Sequence, residues 1–382
     1  TYRTAGCGPA CPVVWQGSSE TISLPPYADC GVLVAGDGKP ETAAMALKTS
    51  DVLELHQRWC IADSHADSLM WNRDLCERSS EGHVDFPRLR EVGMKLQCFT
   101  IVTRGFPFIG GFEAFAVWRG WPREARESEW SRAVWQVDRL AEFCRRSDGQ
   151  VRITTTGRAL EENLAQGRLS AVLGIEGAHA IEGQVERVAE LHQRGVRFMG
   201  LTHLSNNEAG GSSFPLMGNR PLSPLGHSVL EEMARVGMSV DVAHASEQTL
   251  ENILAHPTAR IFSSHTGVRG AGGGWRNLSD EVLRRIAERG GVVGIILAPV
   301  YLGGDAIDDV VRHIEHALGV MGEEGVGIGS DYDGMVALPK GIRDVTDLPK
   351  LTEALLRRHP EALVERILGG NFRRYFRETL GE

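Results

Sequence analysis

Several short stretches of the chain carry side chains able to hold a cation or move a proton, and each follows a brief apolar run. The first is CIADSHADSL, residues 60–69, where His65 and Asp67 stand two residues apart just as a hydrophobic run ends. In an extended segment, residues i and i+2 project on the same side, so this imidazole and this carboxylate face a common point. Together they form a natural ligand pair for a borderline cation such as Zn²⁺. Further along come Glu176, His203, His244, His265 and Asp331. His244 and His265 supply a second pair, and Glu176 has two oxygens, enough to bridge two ions. Two-metal centres with ions about 3.5–4 Å apart are a known hydrolytic arrangement. A carbamylated lysine is another way to bridge two metals, but no Lys occurs between Lys95 and Lys340, which leaves Glu176 for that role.

These residues need elements that bring distant chain segments to one place. From Thr49 onward, short β-like runs alternate with longer helix-period runs. The candidate strands are 59–63, 94–102, 170–176, 196–202, 238–243, 259–264, 291–297 and 325–330, several of them almost continuously apolar, as expected of parallel strands covered on both faces. Helical segments fit between them. In SPLGHSVLEEMARVG, Ser223 is an N-cap followed by Pro224, and the helix closes at Gly237. LSDEVLRRIAERGG places Ser279 before an acidic first turn. Residues 123–147 form an extra helix in the second connection. Eight strand–helix cycles predict an α/β fold of the (β/α)8 TIM-barrel type over 49–382, preceded by an irregular N-terminal extension at 1–48. Active sites of such barrels lie at the C-terminal strand ends, where six of the eight runs lead into His65 and Asp67, Glu176, His203, His244, His265 or Asp331.

Composition excludes other classes. The chain has 382 residues, 42% hydrophobic and 24% charged, an ordinary globular balance. A formal net charge of -9 without a basic cluster argues against a nucleic-acid partner. No apolar run reaches the roughly 18 residues of a membrane helix, and the charged C-terminus NFRRYFRETLGE is no lipid-anchor signal, so no membrane anchor is expected. Residue 1 is Thr, which leaves the compartment open between cytoplasmic and exported. Seven Cys without Cys-x-x-Cys spacing make a poor zinc knuckle or disulfide framework.

The stretches DSHAD, GIEGAHAI, GLTHLSNN, the segment from LSPLGHS to DVAHAS, IFSSHTG with WRNLSDEVL, GIGSDYDG and GGNFRRYF together resemble the membrane (renal) dipeptidase family of dizinc metallopeptidases, from about residue 50 to the C-terminus. The resemblance implies a zinc-dependent dipeptidase with two Zn²⁺ per subunit, one held by His65, Asp67 and Glu176 and the other by Glu176, His244 and His265. It implies that His203 polarises the scissile carbonyl, that Arg276 clamps the substrate's free carboxylate, and that Asp331 meets the free amine and moves protons. A homodimer is also implied. A metal-bridging hydroxide would attack the peptide bond, and the requirement for a carboxylate at one end and an amine at the other would select dipeptides. The glycine-rich RGAGGGW leading into Arg276 departs from the mammalian pattern and bears on substrate preference.

Other features have plainer readings. Tyr301 lines either the pocket or the barrel rim, and His179 is read as packing. His313 and His316 are assigned to a solvated helix face beside an apolar stripe. Phe106, Phe108, Phe112, Phe115, Trp118 and Trp121 are read as core beneath a barrel cap, with a lid or a dimer contact as the alternative. Two other functions compete with the dipeptidase: a dizinc deacylase or amidohydrolase acting on another small amide, and a binding protein that has lost catalysis.

Overall fold

The structure is a computed structural model that describes residues 48–105 and 111–382. Its strands are β1 (Ile61–Ala66), β2 (Met94–Val102), β3 (Val151–Ile153), β4 (Leu169–Glu176), β5 (Val196–Gly200), β6 (Ser239–Asp241), β7 (Ile261–Thr266), β8 (Val293–Ile295) and β9 (Val326–Ile328). Eight of them follow one another around a parallel path in the order β1-β2-β4-β5-β6-β7-β8-β9. A bridge between Ala66 and Tyr332, with the Asp67 amide donating to the Tyr332 carbonyl at 2.8 Å, joins the last strand's end to the first. Each barrel strand leads into helix before the next begins, so this is a (β/α)8 TIM barrel. β1, β4 and β7 are buried along their whole length; β4, LSAVLGIE, is nearly unbroken apolar, whereas β1 and β7 turn Asp63, Ser64, His65, Ser264 and His265 into the polar interior.

Three details depart from the expectations. β3 is a ninth strand that pairs only with β4 outside the barrel path; three residues with Arg152 exposed are too short a run to register as periodicity. His65 and His265 lie inside β1 and β7 rather than beyond them. His313 is not on a solvated face: it is buried, its Nδ1 accepts from the Val268 amide at 3.0 Å and its Nε2 lies 3.1 Å from the Leu302 carbonyl. That imidazole replaces backbone partners for a loop, which a helical stripe of apolar residues does not reveal. The expected extension at 1–48, with Cys7, Cys11 and Cys30, and the aromatics Phe106 and Phe108 lie outside the described residues, Lys48 excepted.

The caps read from sequence are in place. Ser223 accepts from the Gly226 amide at 3.0 Å before the helix Pro224–Val236, and Gly237 closes it with φ 79°. Ser279 caps Asp280–Glu288. The extra helix of the second connection is Glu129–Arg146, capped by Ser128.

The barrel is filled in layers. Its lower mouth is plugged by Phe372, Tyr375 and Phe376 of the C-terminal helix Asn371–Thr379, packed on Phe198 and Phe262, whose rings meet edge-to-face at 5.1 Å. Above the plug lies a polar layer. Asp63 accepts from the Ser330 amide at 2.7 Å, the Ser330 hydroxyl at 2.8 Å and Gln97 Nε2 at 2.8 Å. Asp241 accepts from the Ser264 amide at 2.9 Å and the Ala243 amide at 3.0 Å, both on Oδ1. Buried charges are tolerated only when hydrogen-bonded in this way. The upper mouth is open.

Candidate metal centre and active site

Six residues converge at that mouth. His65 comes from within β1 and Asp67 from the turn just after it, where the backbone (φ -89°, ψ 28°) is no longer extended. The i, i+2 pair nonetheless meets, with His65 Nε2 3.4 Å from Asp67 Oδ1. Glu176 is the last residue of β4, and His265 lies within β7. His244 follows β6 and Asp331 follows β9, both with left-handed backbone at φ 63°. For non-glycine residues that conformation costs of order 1–3 kcal/mol and persists where surroundings enforce it, typically at functional sites. Here the His244 carbonyl is held by the Thr202 hydroxyl at 3.0 Å and the Ser213 amide at 2.8 Å.

The donor atoms form three groups, each with its ligand atoms within 4.8 Å of one another: Glu176, His244 and His265; His65, Asp67 and Asp331; and, deeper in the barrel, His65, Asp241 and His265. Glu176 Oε1 is the hub: His244 Nε2 lies 3.0 Å away, His265 Nε2 3.3 Å and His65 Nε2 3.6 Å. This buried oxygen has three imidazole nitrogens around it and no hydrogen bond of good geometry among the described residues. Imidazole nitrogens and carboxylate oxygens in such a cluster are the donor set for borderline divalent ions. Asp331, expected at the amine end of a substrate, also stands within ligand reach, 3.9 Å from His65 Nε2.

The electrostatics agree with a cation site. Burial alone would lower the His65 imidazole, yet the carboxylates of Asp67 and Glu176 outweigh it and push it up to about 10. Burial raises Asp67, with Glu176 adding to the effect, and burial likewise raises Asp331 well above the carboxylate range. Glu176 goes the other way: burial is opposed and outweighed by His203, His244 and His65, which hold it well below its ordinary value. Burial, reinforced by Arg276, takes His244 down to about 3. Burial, with His65 and Arg276 adding to it, keeps His265 well below the ordinary imidazole value. The field that draws a proton onto His65 and Asp331 is the field a divalent cation neutralises.

Around the donors stand the remaining residues expected at the site. His203 Nε2 lies 3.0 Å from Glu176 Oε2, and its Nδ1 donates to the Arg104 carbonyl at 2.9 Å. Arg276 is buried, its Nη1 donates to the His265 carbonyl at 3.1 Å, and its guanidinium carbon sits 4.5 Å from the centre of the Tyr301 ring. Its Nε and Nη2 are buried without hydrogen-bond partners among the described residues. Tyr301 is therefore a wall of the site rather than a rim residue. These groups line a cavity of about 700 Å³ together with Met70, Val102, Phe112, Phe115, Trp118, Phe214, Trp275 and Met335. Trp118, expected in the core, is exposed at the mouth of this cavity, whereas Phe112 and Trp121 are buried as expected. A wider depression of about 1040 Å³ adjoins across Trp275–Asn277, but none of the six donors lines it.

Residues not anticipated support the donors from behind. Thr100 donates to Asp67 Oδ1 at 2.5 Å and lies 3.3 Å from His65 Nε2. Ser264 Oγ donates to Asp241 Oδ2 at 2.5 Å and lies 3.0 Å from His65 Nδ1 and 2.8 Å from His265 Nδ1. The available signal was an aspartate inside an apolar run, in CIAD and SVDVA, and a serine adjoining a ligand histidine. Asp333 is a fastener: it accepts from Ser68, Arg73 and the His83 amide, the last at 2.7 Å, tying the loop after β1 to the loop after β9. His179 is buried with Nε2 3.1 Å from Ser205 Oγ, a packing role as read.

Known proteins resemble this chain in sequence and in fold. A family model described as membrane dipeptidase (peptidase family M19) matches residues 49–380. The dipeptidase verJ of Clonostachys rogersoniana is 33% identical over 228 residues, 58% of this chain and 58% of that protein. The dipeptidase aclJ of Aspergillus oryzae is 37% identical over 198 residues, 50% of this chain and 47% of that protein. The chain thus spans about half the length of the curated relatives it matches. Among solved structures, a metallo peptidase from Rhodobacter sphaeroides liganded with a phosphinate mimic of the dipeptide L-Ala-D-Ala is 25% identical with a TM-score of 0.73, covering 84% of this chain and 99% of that one. The probable dipeptidase PvdM from Pseudomonas aeruginosa shares the fold at 21% identity and a TM-score of 0.74, over 87% of this chain and 98% of that one. With its residues 49–380 matched from end to end of the barrel, this chain belongs to the membrane dipeptidase family, peptidase family M19.

Proposed function

We propose that the protein is a dizinc dipeptidase, with His65, Asp67 and Glu176 holding one ion and Glu176, His244 and His265 the other. Two ions per subunit of a homodimer, acting on small dipeptides, complete that reading. The observation that carries it is Glu176 Oε1, buried and faced by three imidazole Nε2 atoms at 3.0, 3.3 and 3.6 Å. Zinc at these donors supplies Lewis acidity and a bound water that ionises near neutral pH.

The chain's own residues divide the rest of the work. Arg276 lines the cavity, and its Nε and Nη2 have no acceptor among the described residues; together they form a planar fork that suits both oxygens of a carboxylate. His203 opposes charge growing on the carbonyl oxygen as the water oxygen bonds to the carbonyl carbon. Its Nδ1 donates to the Arg104 carbonyl at 2.9 Å, which fixes the ring with Nε2 3.0 Å from Glu176 Oε2. Asp331 would receive the substrate's amine, take the proton that the attacking water gives up, and deliver that proton to the peptide nitrogen as the C–N bond breaks. Carboxylate and amine sites at a fixed separation exclude longer peptides. The apolar walls favour dipeptides with large apolar side chains, Trp118 and Trp275 standing at the entrance.

One observation favours a second reading, a dizinc amidohydrolase acting on another small amide: about 700 Å³ of largely apolar cavity exceeds what a small dipeptide fills. A panel of dipeptides and N-acyl amino acids, assayed before and after chelation and zinc readdition, decides between them. Zinc-restored cleavage of dipeptides with a free amine supports the first. Preference for N-acyl substrates overturns it in favour of the second, and activity indifferent to chelation sinks both.

A further inference from the structure

The hydroxyl of Ser264 stands where both halves of the donor cluster meet. It is buried on β7, 3.0 Å from His65 Nδ1, 2.8 Å from His265 Nδ1 and 2.5 Å from Asp241 Oδ2. A serine hydroxyl has one proton to donate and two lone pairs with which to accept. Of its three polar neighbours, Asp241 Oδ2 is the one that accepts whatever the tautomers of the two rings. Asp241 Oδ1 is already taken by the amides of Ser264 and Ala243, at 2.9 and 3.0 Å, which leaves Oδ2 to receive the hydroxyl. With its proton committed to Asp241, the oxygen is left as a double acceptor facing two ring nitrogens.

We infer that Ser264, oriented by Asp241, is a positioning residue that fixes the tautomers of His65 and His265 together. Both rings carry their proton on Nδ1, given to Ser264 Oγ, and both turn an Nε2 lone pair toward Glu176 and its neighbours. The inference rests on the dizinc reading and adds to it a single oxygen that prepares one histidine of each ion's ligand set. Histidine ligands are generally oriented by an acceptor on the ring nitrogen away from the metal. Here one hydroxyl serves two rings whose centres are 3.7 Å apart. The arrangement couples the two ions: a change at Ser264 alters both sites at once, whereas a change at Thr100 reaches only the Asp67 side.

Asp241→Asn is the sharp test, because the fixed amides select its orientation. The asparagine oxygen must stay on the Ser264 and Ala243 amides, which turns the NH₂ toward Ser264 Oγ. The hydroxyl then receives where it formerly gave, and its proton goes to one imidazole Nδ1. That ring is forced to carry its own proton on Nε2, where it cannot ligate. The expected result is an isosteric variant that melts like the wild type but binds zinc about 10–100-fold more weakly, with fewer than two ions per chain by elemental analysis. Wild-type zinc affinity and stoichiometry in folded Asp241→Asn would overturn the inference while leaving the dizinc reading intact. A wild-type chain that binds no zinc would remove the dizinc reading first. Should the variant fail to fold, ¹⁵N-histidine spectra of the wild-type protein, with and without zinc, give the tautomers directly. Protonated Nδ1 at both His65 and His265 supports the relay, and an Nε2–H form of either ring in the zinc-loaded protein overturns it.

Discussion

Replacing Arg276 by alanine should erase the enzyme's ability to tell a dipeptide from its C-terminal amide. The side chain is buried, with one N–H given to the His265 carbonyl and two, on Nε and Nη2, without hydrogen-bond partners among the described residues. Hydrogen bonds to charged groups contribute about 1.5–3 kcal/mol each. Two such bonds to a carboxylate therefore set a range of roughly 3–6 kcal/mol, and even its lower end is about a hundredfold at 1.4 kcal/mol per decade. The wild type should cleave a free dipeptide at least about a hundredfold faster than its amide, judged by kcat/KM. In Arg276→Ala the ratio should fall toward one, because the free dipeptide slows while the amide, which never engaged the fork, changes little. Arg276→Lys should recover part of the preference, since a point charge replaces a planar pair of donors. Zinc content must be measured alongside, because Arg276 also holds the backbone of His265. A ratio unchanged from wild type in a fully metallated variant would remove the clamp and with it the argument that carboxylate recognition selects dipeptides.

Three further outcomes are expected. Glu176→Ala should lose metal as well as turnover, since its Oε1 faces all three imidazoles; two zinc ions per chain by elemental analysis in that variant would refute the bridging assignment. His203→Ala should keep both ions yet lose about 10²–10³ in kcat, the usual cost of one oxyanion donor, and loss of zinc would make it a ligand instead. His56, buried between the Val92 carbonyl and the Thr352 hydroxyl, is lowered to about 4 by burial. Its folded pKa lies below the ordinary 6.5, so between the two values the unfolded chain binds the extra proton and stability falls as pH drops. Urea unfolding should therefore show a loss of about 3 kcal/mol from pH 7 to pH 4 attributable to this ring, and His56→Gln should flatten that part of the profile; an equal slope in both proteins would contradict it.

The parts of this molecule that were legible in the sequence are those encoded locally. Long apolar runs such as LSAVLGIE mark a strand because a parallel strand is buried on both faces, and Ser223–Pro224 and Ser279–Asp280 mark helix starts because the cap needs a particular side chain at a particular position. Ordered motifs at strand ends located the donors, since a barrel brings those ends to one face whatever the intervening sequence. The three-residue β3 was invisible for want of length, and His313 was misplaced because its partners lie outside its own helix, Val268 in a loop 45 residues away and Leu302 at the end of the short helix Pro299–Leu302, 11 residues away.

What stayed hidden at the site shares one physical cause. Asp241 and Ser264 are 23 residues apart and Ser64 and Ile328 are 264 apart, yet each pair is in hydrogen-bond contact across adjacent or facing strands of the barrel. Partnerships of this kind depend on the register of one strand against another, and register is a property of the closed sheet rather than of any segment. The same holds for the left-handed backbone at His244 and Asp331: both residue types visit that region more than most, but too rarely for sequence to place it at these two positions. Types and order of ligands can therefore be read from the chain, because chemistry restricts them to His, Asp and Glu. The atoms that aim those ligands need only offer one acceptor at one point, a task serine, threonine or a backbone carbonyl performs equally well. That freedom of chemical identity removes the signal from the sequence and leaves it to the fold.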